Sequence, residues 1–138
     1  MLRIVMFILS LLAPLGAFAP PAQAQDAGAI ESVITSQLDA FNARDVDTAW
    51  TYASPMIQGM FGNAANFGTM VQQGYPMVWT NDGVEFLELR QQGDQPRQTV
   101  LLRDSGGGRW VLDYTMIQTE NGWKINGVTV VPQPDVGV

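Results

Sequence analysis

The stretch Arg109-Trp-Val-Leu-Asp-Tyr-Thr-Met-Ile-Gln-Thr-Glu-Asn-Gly-Trp-Lys-Ile-Asn-Gly-Val-Thr-Val-Val131 decides the architecture. Bulky apolar residues recur at every second position on both sides of Asn121-Gly122, the period of a strand with one buried face. Asn-Gly is the dipeptide that most readily supplies the two positive φ values of a type I′ hairpin. Counting outward from it pairs Glu120 with Trp123, Gln118 with Ile125, Met116 with Gly127, Tyr114 with Thr129 and Leu112 with Val131. One face then carries Trp110, Leu112, Tyr114, Met116, Gln118, Trp123, Ile125, Thr129 and Val131. The other carries Val111, Asp113, Thr115, Ile117, Thr119, Lys124, Asn126, Val128 and Val130. The first is heavier and more aromatic, so it is expected against the rest of the core. Gly127 marks a point of bend or close approach.

Working back from the hairpin, Ser105-Gly-Gly-Gly108 is a loop and 97–104 reads as a strand. Gly93-Asp-Gln-Pro96 separates that strand from another over 84–92. In the latter the apolar set shifts phase from Val84 and Phe86 to Leu87 and Leu89, which predicts a bulge near Phe86. Asn81-Asp82-Gly83 reads as a turn, and 77–80 as a short extended piece. Pro132 and Pro134 end the last strand.

Everything before Pro76 reads as helix. Ile30, Val33, Ile34, Leu38 and Phe41 stand three and four apart and predict a helix over 29–43. Asp45 or Asp47 can cap a second helix carrying Val46, Ala49, Trp50 and Ala53. Ser54-Pro55 is a helix start, the serine capping and the proline sitting at the first turn, where its missing donor costs nothing. Met56, Ile57, Met60 and Phe61 form the stripe of that helix, and Gly62 is its stop. Asn63 caps a fourth helix with Phe67, Met70, Val71 and Tyr75 on one side, ended by Pro76. Helices first, then antiparallel strands, is an α+β domain with helices packed on the concave face of a curved sheet.

The N-terminus has another character. Arg3, an uncharged run over 4–18 and Ala22-Gln-Ala24 have the three-part form of a signal peptide, residues 1–24, cleaved after Ala24. The run is shorter than a membrane span. A single domain over 25–138, periplasmic or secreted and without a membrane span, follows. The whole chain has seven Lys and Arg against thirteen Asp and Glu. Losing Arg3 leaves six against thirteen, a balance of minus 7, which repels phosphate backbones and excludes nucleic acid as a partner. The chain has no cysteine and no histidine. Its stability rests on burial rather than disulfides, and the commonest base and nucleophile are missing.

Phe41-Asn-Ala-Arg-Asp-Val-Asp-Thr-Ala49 resembles the opening of nuclear-transport-factor-2-like proteins, and Gly122-Trp-Lys-Ile-Asn-Gly-Val128 resembles their last strand. Ala53-Ser-Pro-Met-Ile-Gln-Gly-Met-Phe-Gly62, with Phe67, Met70, Val71 and Gly74-Tyr-Pro76, is similar to a narrower uncharacterised family of short exported proteobacterial proteins, a domain of unknown function. The resemblance implies a cystatin-like cone, a curved sheet wrapped by helices around a cavity that relatives use for catalysis, binding or dimerisation. It implies no activity for this member.

The Asp45-x-Asp47 pair lacks the glycine and distal glutamate of a calcium loop, so capping explains both carboxylates and no metal is expected. Asp113 and Glu88 are the carboxylates that could serve a catalyst of the isomerase or dehydratase type together with Tyr114. The hairpin count sends Asp113 outward, and the bulge does the same for Glu88. The facing of Arg97 and Arg103 stays open. The inward polar groups are Tyr114, Gln118 and Thr129, with Tyr52 and Trp79 at the mouth. Neutral donors and acceptors among aromatics suit a pocket for a small apolar or amphipathic molecule better than proton transfer. No catalytic residue and no cofactor are assigned. The outer face, with Val111, Ile117, Val128 and Val130, is apolar enough to serve homodimerisation or an envelope interaction module.

Overall fold

The computed structural model describes residues 22–133, so the leader read over residues 1–24 lies, but for its last three residues, outside the described residues. The fold is α+β. Among the described residues, five helices precede a four-stranded antiparallel sheet in the order β1-β2-β3-β4.

Helix α1, Ala22–Asn42, contains the expected 29–43 segment and buries Ile30, Ile34, Leu38 and Phe41, the three-and-four stripe. At its end Arg44 takes a left-handed conformation, φ 58°. That costs a side-chain-bearing residue about 1 kcal/mol or more. The guanidinium compensates by donating to the Phe41 and Trp79 carbonyls and lying 4.3 Å from the centre of the Trp79 ring. Asp45 then caps α2, Val46–Thr51, accepting from the Thr48 amide at 3.1 Å.

Ser54 caps α3, Pro55–Phe61, and Asn63 caps α4, Ala64–Gly74. In α4 the buried residues are Phe67, Gly68 and Val71. A Cβ at Gly68 would meet Val46 Cγ1 at 2.6 Å, so the missing side chain lets α4 lie against α2. The extended piece expected over 77–80 is instead α5, Pro76–Trp79. Pro76 both ends α4 and opens α5 at a first helical position, and burial of Met77 and Val78 fixes the extra turn.

Strand β1, Asn81–Arg90, absorbs the turn expected at Asn81-Asp82-Gly83. Asn81 donates to the Leu38 and Val78 carbonyls at 3.0 and 2.9 Å while pairing with Asp104, which draws the segment into the sheet edge. The bulge expected near Phe86 is present: Phe86 pairs with Val100 and Leu89 with Gln98, leaving Leu87 and Glu88 opposite one residue. Strands β2, Arg97–Asp104, and β3, Arg109–Thr119, have the expected bounds. Asp104 holds the loop between them, accepting from the Gly106 and Gly108 amides at 3.0 and 2.7 Å and from Trp110 Nε1 at 2.8 Å. These donors keep its carboxyl below the usual carboxylate range, Trp110 contributing most.

The hairpin from β3 to β4, Gly122–Val131, departs from the expected register. Thr119 pairs with Gly122, so Glu120 and Asn121 form the turn. Only Gly122 of the dipeptide has positive φ, 94°. The Thr119 hydroxyl donates to the Gly122 carbonyl at 2.8 Å and accepts from the Asn121 amide at 3.2 Å, which selects this turn over the type I′ reversal. Gln118 then faces Trp123 and Met116 faces Ile125. The next pair is Thr115 with Gly127, so Asn126 is an extra residue, and beyond it the phase of β4 inverts. Tyr114 pairs with Val128 and Leu112 with Val130, placing Val128 and Val130 on the inner face. Thr129 pairs with Asp113 and Val131 with Val111, on the outer face. The assignments of Thr129, Val131, Val128 and Val130 are therefore the reverse of strict alternation.

Asn126 is held in place by the helical layer. Ser54 Oγ accepts from the Ile57 amide at 3.2 Å and donates to Asn126 Oδ1 at 2.7 Å. Ala53 adds a parallel bridge to Ile125, with Ser54 N donating to the Ile125 carbonyl and Ile125 N to the Tyr52 carbonyl, both at 2.8 Å. The core lies between α1, α4 and the inner face of β2, β3 and β4, with Val100, Leu102, Leu112, Tyr114 and Met116 fully enclosed.

Candidate ligand cavity

Between the helices and the inner face lies a cavity of about 230 Å³. Helix α1 contributes Gln37 and Phe41, α3 contributes Ile57, Met60 and Phe61, and α4 contributes Phe67, Met70 and Val71. Its floor is Tyr114 on β3 with Ile125 and Val128 on β4, and Tyr75 and Val78 close one side. Phe67 anchors the wall, its ring 5.8 Å from Phe41, 5.6 Å from Trp50 and 6.0 Å from Phe61. Among the described residues, none that lines this cavity carries a charge.

Three lining residues bring polar atoms. Gln37, itself buried, donates from Nε2 to the Ala49 carbonyl at 3.2 Å. The Tyr75 hydroxyl donates to the Val128 carbonyl at 2.9 Å. The Tyr114 hydroxyl is fully enclosed and has no hydrogen-bond partner. Burial, and to a smaller extent the neighbouring Tyr75, raises the Tyr114 phenol well above its ordinary pKa, so it stays protonated. An enclosed donor without an acceptor costs about 1–3 kcal/mol. Tyr114 Oη and Arg90 Nε are the buried side-chain polar atoms left in that condition among the described residues.

Of the five residues named from the sequence as pocket candidates, Tyr114 lines the cavity and the other four do not. Tyr52 is half-buried and contributes its carbonyl to the bridge with Ile125. Trp79 lies beneath the Arg44 guanidinium, its ring 6.0 Å from Phe41. Gln118 is exposed near the hairpin tip, and Thr129 is exposed on the outer face because of the phase inversion at Asn126. Gln37 and Tyr75 are polar lining groups that alternation along strands could not nominate, because both belong to the helical layer. Their signal is the i, i+3, i+4 stripe that each continues, Gln37 beside Ile34, Leu38 and Phe41, and Tyr75 beyond Val71.

Asp113 points away from the cavity, as the hairpin count requires. It accepts from Arg90 Nη2 at 2.8 Å and from the Thr99 hydroxyl. Glu88 is exposed in the β1 bulge. Val111 and Ile117 lie on the outer face, where the register also places Arg97 and Arg103. No helix among the described residues is long and apolar enough to cross a membrane.

No curated protein matches the chain. A family match covers residues 23–138, which takes in the whole sheet and all of the helical layer beyond Ala22: the chain belongs to the family described as Domain of unknown function (DUF4864).

Proposed function

We propose that this domain is a non-catalytic binder of a small apolar or amphipathic molecule, exported by a leader cleaved after Ala24 and acting in the periplasm or outside the cell. The observation that carries the reading is an uncharged, largely apolar cavity that Tyr114, whose enclosed hydroxyl has no partner, helps to line. A few placed polar groups in an apolar concavity are the general form of a small-molecule site. An oxygen acceptor on a bound molecule would relieve the cost of the orphan donor. The helical layer over the inner sheet face accords with the nuclear-transport-factor-2-like cone that the sequence resembles.

An isomerase or dehydratase would need a carboxylate within reach of Tyr114. The lining described above supplies none, and Asp113 is engaged by Arg90 and Thr99 on the other side of the sheet. Homodimerisation through the outer face loses support from the register, since Val128 and Val130 turn inward and Arg97 and Arg103 join Val111 and Ile117 outside.

Native mass spectrometry of the protein purified from its own envelope tests the proposal. A mass increment that persists under gentle conditions and disappears on denaturation is the expected result. Bare polypeptide in every preparation, together with no response to a panel of envelope lipids and metabolites, would overturn it.

A further inference from the structure

Resting on the binding reading above, we infer that the molecule taken into the cavity is uncharged, with about nine non-hydrogen atoms and a carbonyl or hydroxyl oxygen at the end that meets Tyr114. Size comes from volume. An apolar cavity of about 150 Å³ accepts benzene, six heavy atoms, and 230 Å³ scales that to about nine. The linear aliphatic ketones and alcohols of eight carbons have that number.

Charge comes from the lining. A carboxylate moved out of water needs a cation or several donors to replace its hydration, and without them the penalty is several kcal/mol. The cavity wall offers neither. No Lys or Arg lines it, one of the two Gln37 amide hydrogens is given to Ala49, and the Tyr75 hydroxyl hydrogen to Val128. Only the Tyr114 hydrogen remains, among the described residues, as an unmatched enclosed hydroxyl donor. One or two neutral donors satisfy a ketone or alcohol oxygen and leave a carboxylate largely unsolvated. An ammonium would likewise lack a countercharge, since no Asp or Glu lines the wall.

Carbon-13 labelling of methionine methyl groups provides the readout, because Met60 and Met70 both line the cavity. The purified protein is titrated with 2-octanone and with sodium octanoate at pH 7.5, and again with both at pH 4.5. Expected is saturable movement of the Met60 and Met70 methyl resonances with the ketone. Octanoate should be at least about tenfold weaker at pH 7.5 and recover as it becomes neutral at pH 4.5. Tyr114→Phe should weaken the ketone about two- to tenfold, the worth of one hydrogen bond, and leave n-octane unchanged. Octanoate binding as tightly as the ketone at pH 7.5 would refute the uncharged-ligand inference and leave the cavity a binding site. If neither compound nor n-octane moves those methyls at either pH, the binding reading fails as well.

Discussion

Replacing Tyr114 with phenylalanine should make the protein more stable, which is the opposite of the usual outcome for a fully enclosed residue. The ring stays in place between Leu112, Met116 and Val128, and only an oxygen without a partner is removed. Deleting a desolvated, unpaired hydroxyl should recover about 1–3 kcal/mol. The oxygen-sized void left behind returns a fraction of that, so a net gain of about 1–2 kcal/mol is expected. For a domain of this size each kcal/mol shifts the melting temperature by about 4 °C, giving a rise of about 4–8 °C. Circular dichroism melts and urea titrations of the two proteins without ligand provide the comparison. Alkaline pH supplies an independent check. The folded phenol has a pKa raised above the ordinary value of 10.0. Below that value both states hold the proton and the full stability is present. Above it the unfolded chain ionises first, and stability falls by about 1.4 kcal/mol per pH unit until the folded phenol also ionises. Wild type should therefore lose more stability than Tyr114→Phe between pH 10 and about pH 11. A destabilisation of a kcal/mol or more in Tyr114→Phe would mean that the hydroxyl has a partner, and parallel alkaline profiles that it reaches water; either way the ligand argument would lose its foundation.

Ser54→Ala removes the cap of α3 and the donor to Asn126 together, and should cost about 1–2 kcal/mol by urea unfolding. Gly68→Ala drives a methyl into Val46 Cγ1 and should cost about 1–3 kcal/mol, with Val46→Ala in the same chain recovering most of it. Asp104→Asn weakens the anchor of the β2–β3 loop, because its amide cannot accept from all three donors as a carboxylate does. Since the Asp104 pKa is lowered on folding, its contribution is present above the ordinary carboxylate pKa and lost as pH falls through the lower folded value. Hydrogen exchange at the Gly106 and Gly108 amides, relative to its intrinsic rate, should therefore speed up in wild type only as pH falls below the ordinary carboxylate value of 3.8, whereas Asp104→Asn should show fast exchange at every pH.

The helix caps are legible because their partners are neighbours in sequence. The caps at Asp45, Ser54 and Asn63 are local devices, and each accepts the amide three residues on. The bulge after Phe86 was legible because the apolar phase of β1 changes within one strand. The inversion at Asn126 was not, because it is imposed by contact with Ser54, 72 positions away in the chain. The hairpin turn failed for a nearer reason: Asn-Gly supports two kinds of reversal, and the Thr119 hydroxyl chooses between them. One error propagated into the site. Thr129 was placed inside and Val128 outside, so the polar content of the cavity was overestimated and its apolar content underestimated. Tyr114 stands on the inner face in either register because the extra residue lies in β4 and β3 alternates throughout. Gln37 and Tyr75 continue the helical stripes, and only the packing of helix on sheet makes them lining residues.

The double use of the Ser54 hydroxyl has a consequence for how a molecule could reach the interior. The N-terminal end of α3 is fastened twice, through Asn126 and through the bridge of Ala53 to Ile125. No residue of the helix is buried; its other end finishes on Gly62 at φ 81°, is held by Asn66 Nδ2 donating to the Phe61 carbonyl at 3.0 Å, and carries Met60 with 67% of its surface in solvent. Met60 both lines the cavity and reaches solvent, so this end of α3 is where the interior meets the outside, while the Ser54 end stays tied to the sheet. The thioether at that threshold is the first group an incoming guest would touch.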